Sequence, residues 1–191
     1  MQPLRYAINL TLDGRAGHES GAPPDAFTHR HAAESLSQND SMLLGRTTYE
    51  LMEFWRDPPA GLPEWTRPFA NVIGPMKKYV VSSTLEKVDW RGAELVRGEL
   101  GAFVRALKQQ PGRGIATGGL RLPLALAELG LIDEYEFTVH PRISGSGPTL
   151  FSGLSKFVDL KLVKLLALPS GFVVLTYVPR ETSAADASPA H

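Results

Sequence analysis

Three short segments of this chain each place glycine or hydroxyl side chains directly after an apolar run. They are residues 43–50, 79–84 and 115–119. If the apolar runs are parallel strands, the three turns open on the same edge of one sheet, which is where open α/β sheets bind ligands. The pattern therefore predicts that the polar groups of the three turns converge on one elongated anionic ligand.

The residue types in these turns suit phosphate groups. Gly45, Gly118 and Gly119 let backbone N–H groups approach an anion, because no Cβ stands in the way. Arg46 adds a planar and permanently charged guanidinium group. Hydroxyl donors are supplied by Thr47, Thr48, Ser82, Ser83 and Thr84. A dinucleotide with a pyrophosphate and a separate ribose phosphate would use all three turns.

Each of these residues also has a structural role that the sequence leaves open. Arg46 can be a solvated arginine at the start of a helix, and Thr47 can cap that helix. Residues 82–84 can simply end a strand with turn-forming hydroxyls. Gly118 and Gly119 can form an ordinary turn between a strand and a helix.

In this order, the three segments resemble the dihydrofolate-reductase-like fold. The closer resemblance is to the C-terminal reductase domain of the bifunctional riboflavin-biosynthesis deaminase/reductase and its stand-alone bacterial relatives. It is strengthened by residues 12–14 near the N-terminus, by residues 131–134, and by Pro141 followed by residues 145–151. The resemblance covers residues 4–178, which is nearly the whole chain.

This resemblance implies an NADPH-dependent reductase that transfers hydride to a small heterocyclic or sugar-imine substrate. The implied cofactor-binding residues are Gly45, Arg46, Thr47, Thr48, Ser82, Ser83, Thr84, Thr117, Gly118, Gly119 and Leu120. The glycine pattern departs from Gly-x-Gly-x-x-Gly, which disfavours a standard Rossmann domain. A dihydrofolate or pteridine reductase, and a nucleotide-binding homologue without turnover, remain as alternatives.

The candidate residues on the substrate side come from the same resemblance. Asp13 follows the first strand and is the candidate catalytic carboxylate, either orienting substrate or relaying a proton, although Asp13-Gly14 can also be only a turn. Classical dihydrofolate reductases carry an acid in the helix before the Gly-Arg strand, where this chain offers His29 and His31 instead. This departure argues against folate as the substrate. Either histidine can donate a proton or bind a substrate phosphate, or lie on the helix surface. His29 and Gly145 are the predicted substrate-binding residues.

Composition restricts the class of protein. The 191 residues include 20 basic and 20 acidic side chains, so no net charge recruits nucleic acid or an anionic membrane. The absence of cysteine excludes disulfides, thiolate catalysis and the zinc deaminase signature, and two histidines without a neighbouring carboxylate make a poor metal site. No apolar run of about 18 residues occurs, so we expect neither export nor a membrane span but a cytoplasmic enzyme. A homodimer is what the family resemblance implies.

The candidate site residues must be positioned by one α/β domain, which we expect over residues 1–178. Its predicted architecture is a central, mixed and mostly parallel sheet with flanking helices, and the sheet ends in an antiparallel hairpin. Strands are predicted at 4–12, 42–44, 79–82, 94–96, 115–117, 134–139, 157–168 and 172–178. Helices are predicted at 26–38, 46–55, 100–109 and 120–129, with one short turn of helix near 65–71 inside an irregular proline-rich segment. Residues 179–191 are predicted to be a disordered tail.

Overall fold

The computed structural model describes residues 1–180, and its centre is one eight-stranded sheet of order β4-β3-β2-β5-β1-β6-β8-β7. The strands are β1 (Leu4–Thr11), β2 (Ser41–Gly45), β3 (Lys77–Val81), β4 (Ala93–Val96), β5 (Ile115–Thr117), β6 (Glu134–His140), β7 (Leu160–Ala167) and β8 (Val173–Pro179). Strands β1 to β6 pair in parallel, whereas β8 pairs antiparallel with both β6 and β7. The predicted mostly parallel sheet with an antiparallel C-terminal hairpin is confirmed.

Within residues 1–180, five helices cover the sheet: α1 (Ala26–Ser37), α2 (Arg46–Met52), α3 (Arg67–Ile73), α4 (Leu100–Gln109) and α5 (Arg121–Glu128). Helix α1 begins where it does because the Asp25 side chain and Thr28 form a reciprocal capping box. The predicted helix over 46–55 is α2 followed by a 3₁₀ turn at Glu53–Trp55. The short helix expected near 65–71 is α3, which a second 3₁₀ turn at Glu64–Thr66 precedes.

Hydrophobic layers lie on both faces of the sheet. Leu43 and Leu44 are adjacent on β2 and point to opposite faces, yet both are fully buried, as a central parallel strand requires. One layer packs α4 and α5 on the sheet and contains Leu4, Tyr6, Leu43, Val104, Ile115, Leu122 and Leu126. The other packs α1 and α3 on the opposite face and contains Leu36, Met42, Leu44, Ile73, Val80 and Trp90.

A fully buried lysine joins α3 to the sheet. The Lys78 ammonium donates to the carbonyl oxygens of Ile73 and Met76, each at 2.7 Å, and lies 3.9 Å from the centroid of a Trp90 ring. Burial lowers the pKa of Lys78 to about 8. The ammonium thus supplies donors that the last carbonyls of α3 lack within the helix.

The C-terminal hairpin differs slightly from its predicted bounds. Strand β7 begins at Leu160, later than expected, while β8 runs to Pro179, and the Arg180 N–H donates to the Asp159 carbonyl at 2.8 Å. Residues 181–191 of the predicted tail lie outside the described residues. Across residues 1–180, no helix is both long and apolar enough to cross a membrane.

Candidate active site

The three polar turns meet at one edge of the sheet. They follow the carboxyl ends of β2, β3 and β5, which are neighbours in the order β3-β2-β5. Parallel register aligns Gly45 with Val81 and Leu43 with Thr117, so the strands end at nearly the same level. The tertiary structure therefore brings together the residues that the sequence spreads over more than seventy positions.

Arg46 connects the first turn to the second. Its Nη1 donates to Thr84 Oγ1 at 3.1 Å, and its Nε contacts Glu50 Oε1 at 2.7 Å one helical turn further along α2. About half of the arginine side chain is exposed, and Ser83 beside it is also exposed. The guanidinium is therefore held at the edge by a weak surface ion pair and stays accessible to an anion.

Ser82 has a different role from its neighbours. Its buried hydroxyl accepts hydrogen bonds from the backbone N–H groups of Thr84, at 3.2 Å, and Leu85, at 3.0 Å. Ser82 therefore shapes the second turn, which is the structural role that the sequence left open.

Arg97, which follows β4, was not found by sequence reasoning. Its guanidinium donates to the carbonyl oxygens of Ser82, at 3.3 Å, and Ser83, at 3.1 Å, and also bonds the Leu85 carbonyl. No local motif marks this arginine, because its partners are set by the pairing of β3 with β4. It fixes the backbone of the second turn.

Gly119 brings the third turn against the first. It has a φ of +86°, and a Cβ at this position would lie 2.2 Å from Thr48 Oγ1. The Gly119 carbonyl also accepts a hydrogen bond from the buried Tyr6 hydroxyl at 2.9 Å. Only glycine fits this conformation and this contact together.

The other predicted cofactor residues fall into two groups. The Thr117 hydroxyl is buried and donates to the Leu43 carbonyl at 2.8 Å, so it joins β5 to β2 rather than facing a ligand. Gly45 and Leu120 occupy the positions just before α2 and α5, and no side chain among residues 1–180 caps either helix. Thr47 is exposed in the first turn of α2. The first N–H groups of both helices are therefore available to phosphate oxygens.

Asp13 and Gly145 lie together in the loops that follow the adjacent strands β1 and β6. The Asp13 carboxylate accepts hydrogen bonds from the Thr11 hydroxyl at 2.6 Å and from the N–H groups of Ser144, at 3.0 Å, and Gly145, at 2.8 Å. These bonds, that of Thr11 foremost, hold the pKa of Asp13 well below its ordinary value. The carboxylate therefore ties the loop after β1 to the loop after β6 and stays ionised, which suits positioning better than proton relay.

The two α1 histidines lie in different surroundings. His29 packs among Trp55, Trp65 and Phe69, with ring centroids 4.7–5.9 Å apart, and burial lowers its pKa. His31 instead lies over the sheet, where its Nε2 is 3.1 Å from Glu136 Oε1 of β6. His29, the predicted substrate contact, is therefore part of an aromatic cluster, and Glu136 is a candidate site residue that the sequence did not reveal.

One face of the sheet is exposed to solvent at its middle strand, β1. Ala7 and Asn9 are exposed although β1 lies between β5 and β6, whereas Leu4 and Tyr6 on the other face are fully buried. A Cβ on Gly118 would lie 3.4 Å from the Ala7 carbonyl oxygen, so this opening adjoins the third turn. A ligand bound at the three turns can therefore reach the exposed floor on β1.

Comparison with known proteins first defines the class. A dihydrofolate reductase of Enterococcus faecalis, solved with NADP(H) and RAB-propyl, has a TM-score of 0.63 at 15% identity, over 94% of this chain and 97% of that one. A protein of Shewanella sp. PV-4, provisionally assigned to riboflavin biosynthesis, has a TM-score of 0.72 at 19% identity, over 94% of this chain and 100% of that one. The fold is therefore dihydrofolate-reductase-like, as predicted.

The family is defined by sequence. Residues 3–174 match the family described as the RibD C-terminal domain. The uncharacterized protein YyaP of Bacillus subtilis (strain 168) is 30% identical over 180 residues, which cover 89% of this chain and 91% of YyaP. The chain belongs to the RibD C-terminal domain family, which confirms the resemblance seen in the sequence.

Replacing Gly119 with Ala tests the packing of the first turn on the third. We expect the free energy of unfolding to fall by more than the ~1 kcal/mol that a left-handed backbone alone costs, because the new Cβ collides with Thr48. Chemical denaturation measures this loss. Gly130→Ala is the matched control, since Gly130 also has a positive φ, +64°, but open space around it. Equal losses in the two variants would contradict the proposed contact.

Replacing Asp13 with Asn separates its two roles. The amide NH₂ cannot accept a hydrogen bond from a backbone N–H, so we expect the midpoint of thermal unfolding to fall by a few degrees. Asp57→Asn is the control, because Asp57 is exposed and pairs with the neighbouring Arg56. An Asp13→Asn enzyme whose kcat is unchanged would show that Asp13 is not catalytic.

Proposed function

We propose that this protein is an NADPH-dependent reductase of the riboflavin-biosynthesis type. Its expected substrate is 5-amino-6-(5-phosphoribosylamino)uracil or a closely similar heterocycle bearing a sugar imine or carbonyl. The observation that carries the proposal is the meeting of Arg46, Thr84 and Gly119 at one sheet edge. Family membership supports the reductase class, and the geometry supports a phosphorylated dinucleotide.

The residues fit such a cofactor at two separate places. The uncapped start of α5 and the Gly118-Gly119 turn would hold the pyrophosphate, since the backbone can approach it closely there. Arg46, Ser83 and Thr84 would hold the ribose phosphate that distinguishes NADPH from NADH. When bound, the nicotinamide supplies a hydride, and the protein contributes position and electrostatics.

Charge pattern supports a substrate other than folate. The stretch of α1 in which dihydrofolate reductases carry an acid offers His29 and His31 here. The Asp13 carboxylate and the Gly145 turn are joined by a hydrogen bond and would border the substrate. A dihydrofolate or pteridine reductase is therefore the weaker candidate, and a nucleotide-binding protein without turnover is an outcome of the experiments below.

We also propose a homodimer formed through β7. This strand lies at the edge of the sheet, and Leu162, Val163 and Leu165 are each about half exposed on it, near a fully exposed Phe157. An open edge with apolar side chains is commonly covered by another strand. Antiparallel pairing of two copies of β7 would satisfy both edges at once. The cytoplasmic location expected from the sequence stays a prediction.

Thermal unfolding with NADPH and NADH tests the cofactor proposal. A ligand that binds only the folded state adds about 2.7 kcal/mol at 100 times its dissociation constant, so we expect a clear rise of Tm with NADPH and a smaller one with NADH. Replacing Arg46 with Ala should weaken NADPH binding about tenfold and leave NADH binding unchanged, because one charged hydrogen-bond donor to the phosphate is lost.

Arg56→Ala is the matched control for that variant. Arg56 lies just beyond the other end of α2 and also pairs with a nearby carboxylate, that of Glu53 at 3.1 Å. Its loss should leave both cofactor affinities unchanged. The absence of any Tm shift in the wild-type protein would overturn the reductase proposal.

Sedimentation velocity tests the homodimer. We expect twice the chain mass of 20.8 kDa for the wild-type protein and a monomer for Leu165→Glu, because the new charge would have to be buried at the interface. Leu129→Glu introduces the same charge at a similarly exposed leucine just after α5, away from β7, and should leave the dimer intact. A monomeric wild-type protein would refute the proposed interface.

A further inference from the structure

The reduction proposed above requires a proton as well as a hydride, and this inference rests on that proposed function. The substrate carbon of a C=N or C=O bond accepts a hydride from NADPH, and the π electron pair moves to the nitrogen or oxygen. That heteroatom must then gain a proton, or its developing negative charge is left unpaired. When bound, NADPH would supply the hydride with its two electrons and leave as NADP⁺, and the solvent would return the proton to the donor.

Asp13 does not suit this proton transfer. Three hydrogen bonds to its carboxylate, from Thr11, Ser144 and Gly145, favour the charged form and hold its pKa well below the ordinary value. A group that is ionised throughout the neutral range has no proton to give. The donor must therefore be sought elsewhere around the opening over β1.

His31 and Glu136 form a pair at that opening. His31 Nε2 lies 3.1 Å from Glu136 Oε1, and only 11% and 15% of the two side chains are exposed. Such low exposure strengthens the attraction between an imidazolium and a carboxylate relative to a surface pair. Within residues 1–180, the imidazole is held through Nε2, so Nδ1 is the nitrogen that can serve a substrate.

Strand register places this pair beside the proposed cofactor turn. On one side of β1, Ala7 is aligned with Glu136 of β6. On its other side Ala7 lies one step beyond the Tyr6–Thr117 pair, and a Cβ on Gly118 would lie 3.4 Å from the Ala7 carbonyl oxygen. Glu136 and Gly118 are therefore two strand spacings apart, about 10 Å, with the exposed Ala7 between them. A substrate ring lying on Ala7 and Asn9 would reach both Glu136 and the Gly118 turn.

Other charged groups near the pair have partners of their own. Glu134 lies on the same face of β6 and pairs with Arg5 of β1 at 3.5 Å, while Lys164 of β7 also acts on it. The pKa of Glu134 is raised, first by burial and further by Glu136. The titratable residues near His31 in the sequence are Asp25 at the N-cap of α1 and His29, Arg30 and Glu34 on the helix. Among these groups, Glu136 is the carboxylate in contact with His31.

We propose that His31 is the catalytic acid of this reductase, and that Glu136 is the positioning residue that orients its imidazole. His31 donates a proton from Nδ1 to the substrate heteroatom as the hydride arrives at carbon. Glu136 fixes which ring nitrogen faces the substrate and stabilises the imidazolium, as a carboxylate does when it holds a general acid in place.

The test compares His31→Gln and Glu136→Gln with the wild-type protein, using NADPH and 5-amino-6-(5-phosphoribosylamino)uracil. For His31→Gln we expect kcat to fall about 100-fold, the usual range for loss of a general acid. The KM for NADPH and the Tm rise with NADPH should not change. A fall in kcat with an unchanged KM for NADPH separates loss of the proton donor from damage to the cofactor site.

Glu136→Gln keeps an oxygen acceptor but removes the charge. We expect a fall in kcat of about tenfold with the KM for NADPH unchanged, and partial rescue by Glu136→Asp. Glu34→Gln on the exposed surface of α1 and His18→Gln in an exposed loop are the matched controls, and both should leave kcat unchanged. A residue that merely tethers α1 to β6 would alter Tm without lowering kcat.

A second measurement does not depend on turnover. In the presence of NADP⁺, which cannot donate a hydride, adding the same pyrimidine should shift the NMR signals of the His31 ring and leave those of His18 in place. An unshifted His31 signal, or a His31→Gln enzyme with kcat within threefold of wild type, would refute the assignment of the acid. A wild-type protein that binds no NADPH fails at the earlier step and overturns the proposed function together with this inference.

Discussion

The candidate site depends on the parallel pairing of β3, β2, β5, β1 and β6. Because these strands run in one direction, every segment that leaves a carboxyl end does so at the same edge, although β1 and β6 extend beyond the end of β5. Slipping one strand by a residue would turn its buried side chains to the opposite face, so the hydrophobic layers on both sides of β2 fix the register. The positions of Arg46 and Gly119 follow from core packing, although neither residue belongs to the core.

Local interactions then shape the candidate binding surface at this edge. Thr117 and Arg97 donate to backbone carbonyls, and the Ser82 hydroxyl accepts from a backbone N–H group, which together fix the turns. The groups left for a ligand are the exposed part of Arg46, the Ser83 hydroxyl and the first N–H groups of α2 and α5. The polar residues thus divide into those that build the site and those that face its occupant.

A chain without net charge can still have strong local electrostatics. The Asp13 carboxylate is surrounded by donors, the Lys78 ammonium by carbonyls and an aromatic ring, and the His31 imidazole by a carboxylate. Each of these three ionisable groups has a partner of suitable chemistry, because an unpaired one would cost several kcal/mol. What differs among them is accessibility: Lys78 is sealed in the core, whereas His31 and Asp13 border the open face of β1.

The sequence by itself determined the class of fold, the order of elements and the three polar turns, because apolar periodicity, glycine turns and helix caps act over a few residues. It located Gly119 and Arg46 for the same reason. Only the tertiary structure decided which side chains are free, because contacts across the sheet join residues far apart in sequence: Thr117 to Leu43, Arg97 to Ser82, and His31 to Glu136 over 105 positions. The sequence predicted Thr117 and His29 as ligand contacts, but Thr117 bonds the Leu43 carbonyl and His29 packs against aromatic rings. Glu136 gives no local signal, because strand register alone places it on the face of Ala7.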